Sequence, residues 1–195
     1  MAYLTERRFL SHETIRAAYL GWTPGVRLTT TDGRPYSARG IVIPWVERDR
    51  LTLVKIRQHK GDRPKYAEVF RDRPFLYPDP EAIRFRYPLI IVEGEFDALL
   101  LGQALAGLAS VMTMGSASAR HDHGTVSDAL RPARRIYIAT DADDAGDRAA
   151  EGWPARARRV RPPDPFKDWT EARQGGVDLA RWWADLIEKD ARELT

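Results

Sequence analysis

The sequence predicts an α/β protein: a parallel-type sheet flanked by helices, preceded by a small basic α+β subdomain. Two apolar runs, at residues 89–92 and 136–140, each stop abruptly on carboxylates. Short runs rich in Ile and Val are typical of buried parallel strands, and helix-favouring segments follow both runs, as crossover connections require. Residues 40–57 instead alternate apolar and polar side chains around a polar turn, which predicts an antiparallel hairpin.

Composition limits the classes of protein to be considered. A chain of 195 residues holds one medium domain or two small ones with a real core. It contains no cysteine, which excludes disulfides and thiolate zinc sites. No apolar run approaches the ~18 residues of a membrane span, and the amino terminus lacks a signal-peptide core. We therefore expect a soluble, cytoplasmic protein that does not bind membranes.

Charge is distributed unevenly along the chain. Residues 1–80 carry 15 basic and 9 acidic side chains, whereas residues 81–195 carry 16 and 19. A basic part joined to an acidic part favours an enzyme that holds a polyanion with one and reacts with the other. We divide the chain into a basic amino-terminal subdomain (1–80), an α/β domain (89–175) and a carboxyl-terminal amphipathic helix (176–195). A proline-rich linker joins the first two.

The remaining elements follow from local patterns. In chain order we expect helices at 3–11 and 12–20, hairpin strands at 40–45 and 51–57, a short helix at 81–85, strands at 89–92, 109–113, 135–140 and 158–160, and helices at 96–105, before residue 130 and at 144–151. Apolar residues at 179, 182, 183, 186 and 187 form one stripe of a final helix. We interpret the stripe as core packing, with a docking face for a partner as the alternative.

Carboxylates follow two of the predicted strands. Glu93 comes directly after the first, and Asp141 and Asp143 come after the second. Because the carboxyl ends of parallel strands face one crevice, these side chains are expected to lie together. Crowded carboxylates raise one another's pKa unless a cation offsets them, and all-oxygen ligands favour Mg²⁺ or Mn²⁺. An isolated Asp-x-Asp motif is more often a helix cap than a metal site. A metal site is favoured here because Glu93 places a further carboxylate at the end of another strand.

Basic residues concentrate around the predicted hairpin. Residues 48–73 contain nine Lys or Arg and four Asp or Glu. On the second hairpin strand Lys55 and Arg57 share one face, because alternate residues of a strand point the same way. On composition alone, such a run indicates a solvated face as readily as a site for a polyanion.

The acidic motifs together resemble a Toprim domain, a fold shared by bacterial-type primases, type IA and II topoisomerases and some nucleases. Residues 93–97 (Glu-Gly-Glu-Phe-Asp) are followed, 48 positions after Glu93, by residues 141–146 (Asp-Ala-Asp-Asp-Ala-Gly). Between them, residues 111–116 resemble the strand and Gly-Ser/Thr loop that primases place beside the nucleotide site. The resemblance implies a nucleotide-binding role for Gly115 and Ser116.

Two further stretches resemble primases in particular. Residues 3–22 are similar to the start of the primase RNA-polymerase core, a segment that topoisomerases lack. Pro64-Lys65-Tyr66 is similar to the primase stretch whose lysine faces the active site. The resemblance to the catalytic core of bacterial-type (DnaG-type) DNA primase covers nearly the whole chain. It implies a nucleotidyltransferase that synthesises RNA primers from NTPs on a single-stranded DNA template.

The resemblance also implies roles for individual residues. Two Mg²⁺ or Mn²⁺ ions would be held by Glu93, Asp141, Asp143 and Asp168, with Asp97 as a direct or supporting ligand. Asp97 is included because it lies four residues after Glu93, one helical turn along the same face. Residues implied to act in catalysis are Glu93, Asp141, Asp143 and Lys65. Residues implied to bind nucleotide or DNA are Lys55, Arg57, Lys65, Tyr66, Gly115 and Ser116.

The segment around Asp168 departs from the primase pattern. Primases deliver an Asp toward the metals from a loop after the last Toprim strand, and Lys167-Asp168 occupies the matching position. Their usual Asp two residues earlier is Phe166 in this chain. Independently of any metal, Asp168 is expected to cap the helix that follows it.

Two other functions remain open: a Toprim nuclease, and a non-catalytic Toprim module that binds nucleic acid within a replication or mobile-element assembly. A topoisomerase would need a catalytic tyrosine on a separate large domain. Primases of this type usually carry a zinc-binding module ahead of the core and a helicase-binding module behind it. The resemblance therefore implies partners in trans, either a zinc-bearing protein or a replicative helicase.

Overall fold

The computed structural model describes residues 1–30, 32–59, 62, 64–74, 76–78, 83, 87–115, 130, 133, 135–151, 153 and 156–193. The chain forms two compact units. The first is His12–Pro74, and the second combines Met1–Ser11 with Phe75–Thr195. None of the described helices is long and apolar enough to cross a lipid bilayer.

The first unit contains one short helix and an antiparallel sheet. Its elements are α1 (His12–Ala17), β1 (Gly21–Thr29), β2 (Pro35–Glu47), β3 (Arg50–Gln58) and β4 (Tyr66–Arg71), and the strand order is β1-β2-β3-β4. The predicted hairpin is confirmed as β2 and β3. Its two-residue turn holds Arg48 and Asp49 at φ 50° and 61°, the left-handed conformation that twists correctly into a hairpin.

The sequence did not predict β1 or β4. Most side chains of β1 are exposed, so the strand carries no clear alternation of buried and exposed residues. Its register with β2 also shifts between Thr23 and Val26, where Pro24 and Gly25 interrupt the ladder. One face of this sheet packs around the buried residues Ala38, Ile56 and Ala67. Lys55 and Arg57 alternate with Ile56 and therefore project from the other face, as predicted.

The second unit is built on a parallel sheet. Its strands are β5 (Leu89–Val92), β6 (Ser110–Thr113), β7 (Ile136–Ile138) and β8 (Ala157–Arg159), in the order β6-β5-β7-β8. Every pairing among them is parallel. All residues of β5, β6 and β7 are buried, which is why β5 and β7 read as continuous apolar runs. The predicted α/β class and its four strands are confirmed.

The helices of this unit are α2 (Glu95–Ala104), α3 (Asp144–Ala149), α4 (Trp169–Gln174) and α5 (Leu179–Glu193). Near the amino terminus, Tyr3–Arg7 forms a single π-helical turn instead of the expected α-helix. The segment ends where Phe9 adopts a left-handed φ of 55°. The expected helix at 81–85 and the one before residue 130 lie largely outside the described residues.

The first eleven residues pack with the parallel sheet, whereas the sequence grouped them with the basic subdomain. Leu4 and Leu10 are buried. The Gln103 side chain, on α2, donates a hydrogen bond to the Phe9 carbonyl at 2.6 Å and accepts one from the Ser11 amide at 3.0 Å. These two hydrogen bonds connect the amino-terminal segment to α2, the helix that begins within the first acidic motif.

The carboxyl-terminal helix α5 is fixed to the same unit by aromatic and ionic contacts. Leu179 and Trp183 are buried, and the Trp183 ring lies 5.1 Å from that of Trp169 and 5.5 Å from that of Tyr137. These contacts confirm core packing for this part of the predicted stripe. At its far end α5 also buries Asp190, a charged residue that the stripe did not include.

Candidate active site

Glu93 lies in the turn between β5 and α2. Gly94, in an extended conformation, precedes the first helical residue, so Glu93 is outside the helix. The Thr113 hydroxyl on neighbouring β6 donates to the Glu93 carbonyl at 2.8 Å and fixes this turn. The carboxylate oxygen Oε2 of Glu93 is buried and has no hydrogen-bond partner among the described residues. A buried carboxylate oxygen is costly in that state, so it favours the approach of a cation.

Asp141 follows β7 and is the electrostatic centre of the site. The pKa of Asp141 is raised to about 7, chiefly by burial and then by the negative charges of Glu93, Asp97 and Asp168. The four carboxylates therefore lie within electrostatic reach of one another, in the segments that follow β5, β7 and β8. Lys167 acts in the opposite direction and lowers the pKa of Asp141.

The loop that carries Asp141 is held in place by Gly146 and Arg159. A Cβ atom on Gly146 would lie 2.0 Å from the Asp141 carbonyl oxygen, so only glycine fits at this position of the motif. The Arg159 guanidinium, on edge strand β8, donates to the carbonyls of Asp141 at 2.6 Å and Thr140 at 2.7 Å. It also contacts the Asp147 carboxylate at 3.1 Å. Nothing in the sequence singled out Arg159.

Asp143 has both of its carboxylate oxygens engaged. Oδ1 accepts from the Gly146 amide at 2.9 Å and caps α3, as the capping alternative predicted. Oδ2 lies 3.0 Å from Nζ of Lys167. The hydrogen bond from Gly146, followed by that from Lys167, lowers the pKa of Asp143. Lys167 is thus a cationic member of the site, although the sequence assigned it no role.

Asp97 is buried on α2 and is held by a hydrogen bond. It accepts from the Thr170 hydroxyl at 2.7 Å, and Arg8 donates to the same hydroxyl at 3.3 Å. The pKa of Asp97 is raised to about 6, chiefly by burial and then by the negative charge of Asp168. The expectation that Asp97 shares a helix face with Glu93 is wrong, because Glu93 precedes the helix. Asp97 instead connects α2 to α4.

Asp168 begins α4 and confirms the predicted cap. Its Oδ1 accepts from the Glu171 amide at 2.7 Å. The Trp169 indole nitrogen donates to the Ala139 carbonyl at 2.7 Å, which fixes the start of α4 against the end of β7. Phe166, at the position of the usual primase Asp, packs so closely on Gly175 that a Cβ there would lie 2.1 Å from its ring. A packing residue therefore replaces a carboxylate.

The predicted nucleotide loop is only partly described. Gly115 follows β6 with a left-handed φ of 82°, a conformation that favours glycine. Its amide donates to the Thr113 hydroxyl at 2.9 Å. Thr113 thus contacts both the Glu93 turn and this loop. Ser116 lies outside the described residues.

The residues of the site fit a hard divalent cation. Within the described ranges, no three His, Cys, Asp or Glu side chains are arranged to hold a metal ion as they stand. The candidate donors are all carboxylate oxygens, which suit Mg²⁺ or Mn²⁺. Glu93 offers a buried oxygen without a partner, and Asp141 lies among like charges that a cation would relieve. Asp97, Asp143 and Asp168 already accept hydrogen bonds within the protein.

The predicted basic residues surround one aromatic ring in the first unit. Three cationic groups lie near the centroid of the Tyr66 ring: Arg57 at 5.3 Å, Lys55 at 5.6 Å and Lys65 at 5.8 Å. Lys55 is buried and also lies over the Trp45 ring, whereas Lys65 is exposed. Arg57 donates to the Lys65 carbonyl at 3.4 Å. Cations over an aromatic face keep their charge available to an anion while the ring stays in place.

Comparisons with known proteins agree with this architecture. A Toprim-like family model (Toprim_2) matches residues 90–172. A search of curated protein sequences found no match. The primase fragment of the bacteriophage T7 primase-helicase protein is 20% identical, with a TM-score of 0.63 over 87% of this chain and 68% of that one.

Two further primase structures give the same result. A DnaG primase catalytic domain bound to single-stranded DNA is 19% identical, with a TM-score of 0.66 over 94% of this chain and 69% of that one. The E. coli primase catalytic core is 20% identical, with a TM-score of 0.61 over 87% and 67%. Residues 90–172 therefore form a Toprim-like domain, and the chain as a whole has the fold of a bacterial-type primase catalytic core.

Proposed function

We propose that the chain is a DNA primase core, a metal-dependent nucleotidyltransferase that synthesises RNA primers on single-stranded DNA. The observation that carries the proposal is the carboxylate cluster around Asp141, set at the carboxyl ends of the strands of a Toprim-like sheet. A separate unit of the same chain gathers three cations around Tyr66. One part thus suits a reactive metal site and the other suits a polyanionic template.

Glu93 and Asp141 are the proposed principal metal ligands, and Asp143, Asp168 and Asp97 complete the acidic environment. We propose that the site holds two Mg²⁺ or Mn²⁺ ions. When bound, they would activate the 3′-hydroxyl and stabilise the departing pyrophosphate. The protein's own contribution is orientation. Arg159 and Gly146 fix the backbone that carries Asp141, and Thr113 fixes the turn that carries Glu93.

The first unit is proposed to hold the substrates. Arg57 and exposed Lys65 would bind phosphates of template or NTP, with Lys65 also acting in catalysis, and Tyr66 would stack on a base. Lys55, which is buried, would help to hold the Tyr66 ring in place through its contact with that ring. Gly115 and Ser116 are proposed to contact the incoming nucleotide.

Removal of either phosphate-binding cation should change the salt dependence of binding. For Lys65→Ala or Arg57→Ala we expect weaker binding of single-stranded DNA and a slope of log K against log salt that is shallower by roughly 0.7. Arg34→Ala is the matched control, because the Arg34 side chain is exposed and forms an ion pair with Asp32, two positions away. Unchanged slopes for both test variants would assign the basic residues to a solvated face.

One assay tests the activity itself. The protein is incubated with single-stranded DNA, labelled NTPs and Mg²⁺ or Mn²⁺, and the products are separated on a gel. New labelled oligomers are expected. Shortened template would identify a nuclease instead, and binding without either product would identify a non-catalytic module.

The proposal extends to partners. The similar T7 structures include a fragment of a primase-helicase protein and primase domains that interact with a lagging-strand DNA polymerase. We propose that a replicative helicase or a zinc-bearing protein assists this chain in trans, since contacts to phosphates carry little information about base sequence.

A further inference from the structure

A row of four residues crosses the antiparallel sheet of the first unit. Trp22 of β1 pairs with Ile41 of β2. Ile41 pairs in turn with Arg57 of β3, and Arg57 pairs with Tyr66 of β4. Directly opposed residues of antiparallel strands project from the same face. Trp22, Arg57 and Tyr66 therefore share one face, along a row that spans three strand spacings, about 14 Å.

Trp22 differs from the other tryptophans in its exposure. Its side chain is 61% exposed, whereas Trp45, Trp169 and Trp183 are at most 1% exposed. The remaining two, Trp153 and Trp182, are half-buried. All six tryptophans of the chain lie within the described residues. Trp22 thus presents a large aromatic surface to solvent from β1, where it adds little to the core of the unit.

The neighbours of Trp22 on this face indicate what would cover it. Arg57 and Tyr66 lie in the same row, and the cation of Lys65 lies beside the Tyr66 ring. A protein partner that buried Trp22 in an apolar interface would also have to desolvate these charges. Single-stranded nucleic acid offers both complements at once, because its bases stack on aromatic rings while its phosphates pair with cations.

We infer that Trp22 is a stacking platform for a base of single-stranded DNA, on the sheet face that also carries Arg57 and Tyr66. This inference rests on the proposed function for the identity of the nucleic acid. It adds an element that the acidic site and the cation cluster do not supply: a contact that depends on an unpaired base and not on charge. Duplex DNA, whose base faces are already stacked, would not use it.

Binding of a short oligothymidylate, without metal or NTP, tests the inference through tryptophan fluorescence and a parallel filter-binding measurement. For the wild type we expect quenching on binding. Trp22→Phe should lose the quench but keep most of the affinity, because phenylalanine still stacks. Trp22→Ala should weaken binding about tenfold, toward the low end of the effect of one base–aromatic stack. Its salt slope should stay unchanged, since no charge is removed.

Phe70→Ala is the matched control. Phe70 is 43% exposed on the same sheet but pairs with Val54, which projects from the opposite face to Arg57. We expect it to bind oligothymidylate as the wild type does. Both positions are exposed, so each variant should fold, and a thermal melt verifies this.

Wild-type affinity in Trp22→Ala, or an equal loss in Phe70→Ala, would overturn the inference. The primer assay reports separately on the proposed function. A wild-type protein that makes primers while Trp22→Ala binds normally refutes the platform alone. A protein that makes no primers but binds oligothymidylate through Trp22 refutes the primase proposal and leaves the platform standing.

Discussion

Asp141→Asn is expected to reduce nucleotidyl transfer about a thousandfold or more while the protein remains folded. The variant removes the charge at the centre of the carboxylate cluster, and a catalytic metal ion contributes several kcal/mol, with each 1.36 kcal/mol worth tenfold in rate. Glu93→Gln should have a similar effect. Primer synthesis at saturating Mg²⁺ is the measurement.

Asp144→Asn is the control for these variants. Asp144 belongs to the same acidic motif but is exposed in the first turn of α3. Its neutralisation should leave the rate nearly unchanged. Wild-type activity in Asp141→Asn or Glu93→Gln would show that the metal-site assignment is wrong.

The same carboxylate should make the metal-free protein sensitive to pH. Burial and neighbouring charges raise the pKa of Asp141 from 3.8 to about 7. A raised pKa in the folded state means that the protonated form stabilises the fold. This contribution is fully present below about pH 4 and is lost as the pH rises through about 7. Denaturant unfolding with a chelator should therefore show that Asp141→Asn loses less stability than the wild type across this range. If the free energy of unfolding of the two proteins changes with pH in the same way, the assignment of the raised pKa to Asp141 is contradicted.

Asp190→Ala should destabilise the second unit by about 3 kcal/mol, with a fall in Tm of about 10 °C. Asp190 is 3% exposed and forms ion pairs with Arg158 and, at 3.4 Å, with Arg135. Its loss would leave two guanidinium groups beside the sheet without their shared carboxylate. Arg158 is 39% exposed and becomes hydrated in part, which keeps the loss at the lower end of the range for buried pairs.

An exposed pair on the same helix provides the comparison. Glu188 and Arg192 form an ion pair on α5, with exposures of 62% and 76%. Glu188→Ala should change the free energy of unfolding by less than about 0.5 kcal/mol, as is usual for a solvent-exposed i,i+4 pair. Equal effects of the two substitutions in thermal unfolding would show that burial of Asp190 does not determine its contribution.

The strands that position the site were predictable because they are buried on both faces. β5 and β7 must then be apolar throughout, and their abrupt ends at Glu93 and near Asp141 mark the candidate site. β1 was missed for the opposite reason: most of its side chains face solvent, and Pro24 and Gly25 break its register. Buried strands leave a pattern in the sequence, whereas exposed irregular ones do not.

The supporting residues of the site could not be predicted because their roles depend on contacts between distant segments. Arg8 reaches Thr170 across 162 positions, and Arg159 binds the Asp141 carbonyl across 18. No local spacing records such contacts. Asp97 was misplaced because the helical spacing was extended through Gly94, which lies outside the helix. The acidic motif identified the place, and tertiary contacts determine how each carboxylate is used.

The cap that Asp143 provides for α3 has a consequence for ion selectivity. Since Oδ1 accepts from the Gly146 amide and Oδ2 lies beside Nζ of Lys167, bidentate coordination of a cation by Asp143 would compete with both contacts. Such coordination would weaken the hydrogen bond that caps α3. Ca²⁺, which gathers six to eight oxygens, often from bidentate carboxylates, would gain little from such a ligand. Mg²⁺ retains several waters and needs few protein oxygens. We therefore expect the helix cap to favour Mg²⁺ over Ca²⁺, because it disfavours bidentate coordination by Asp143.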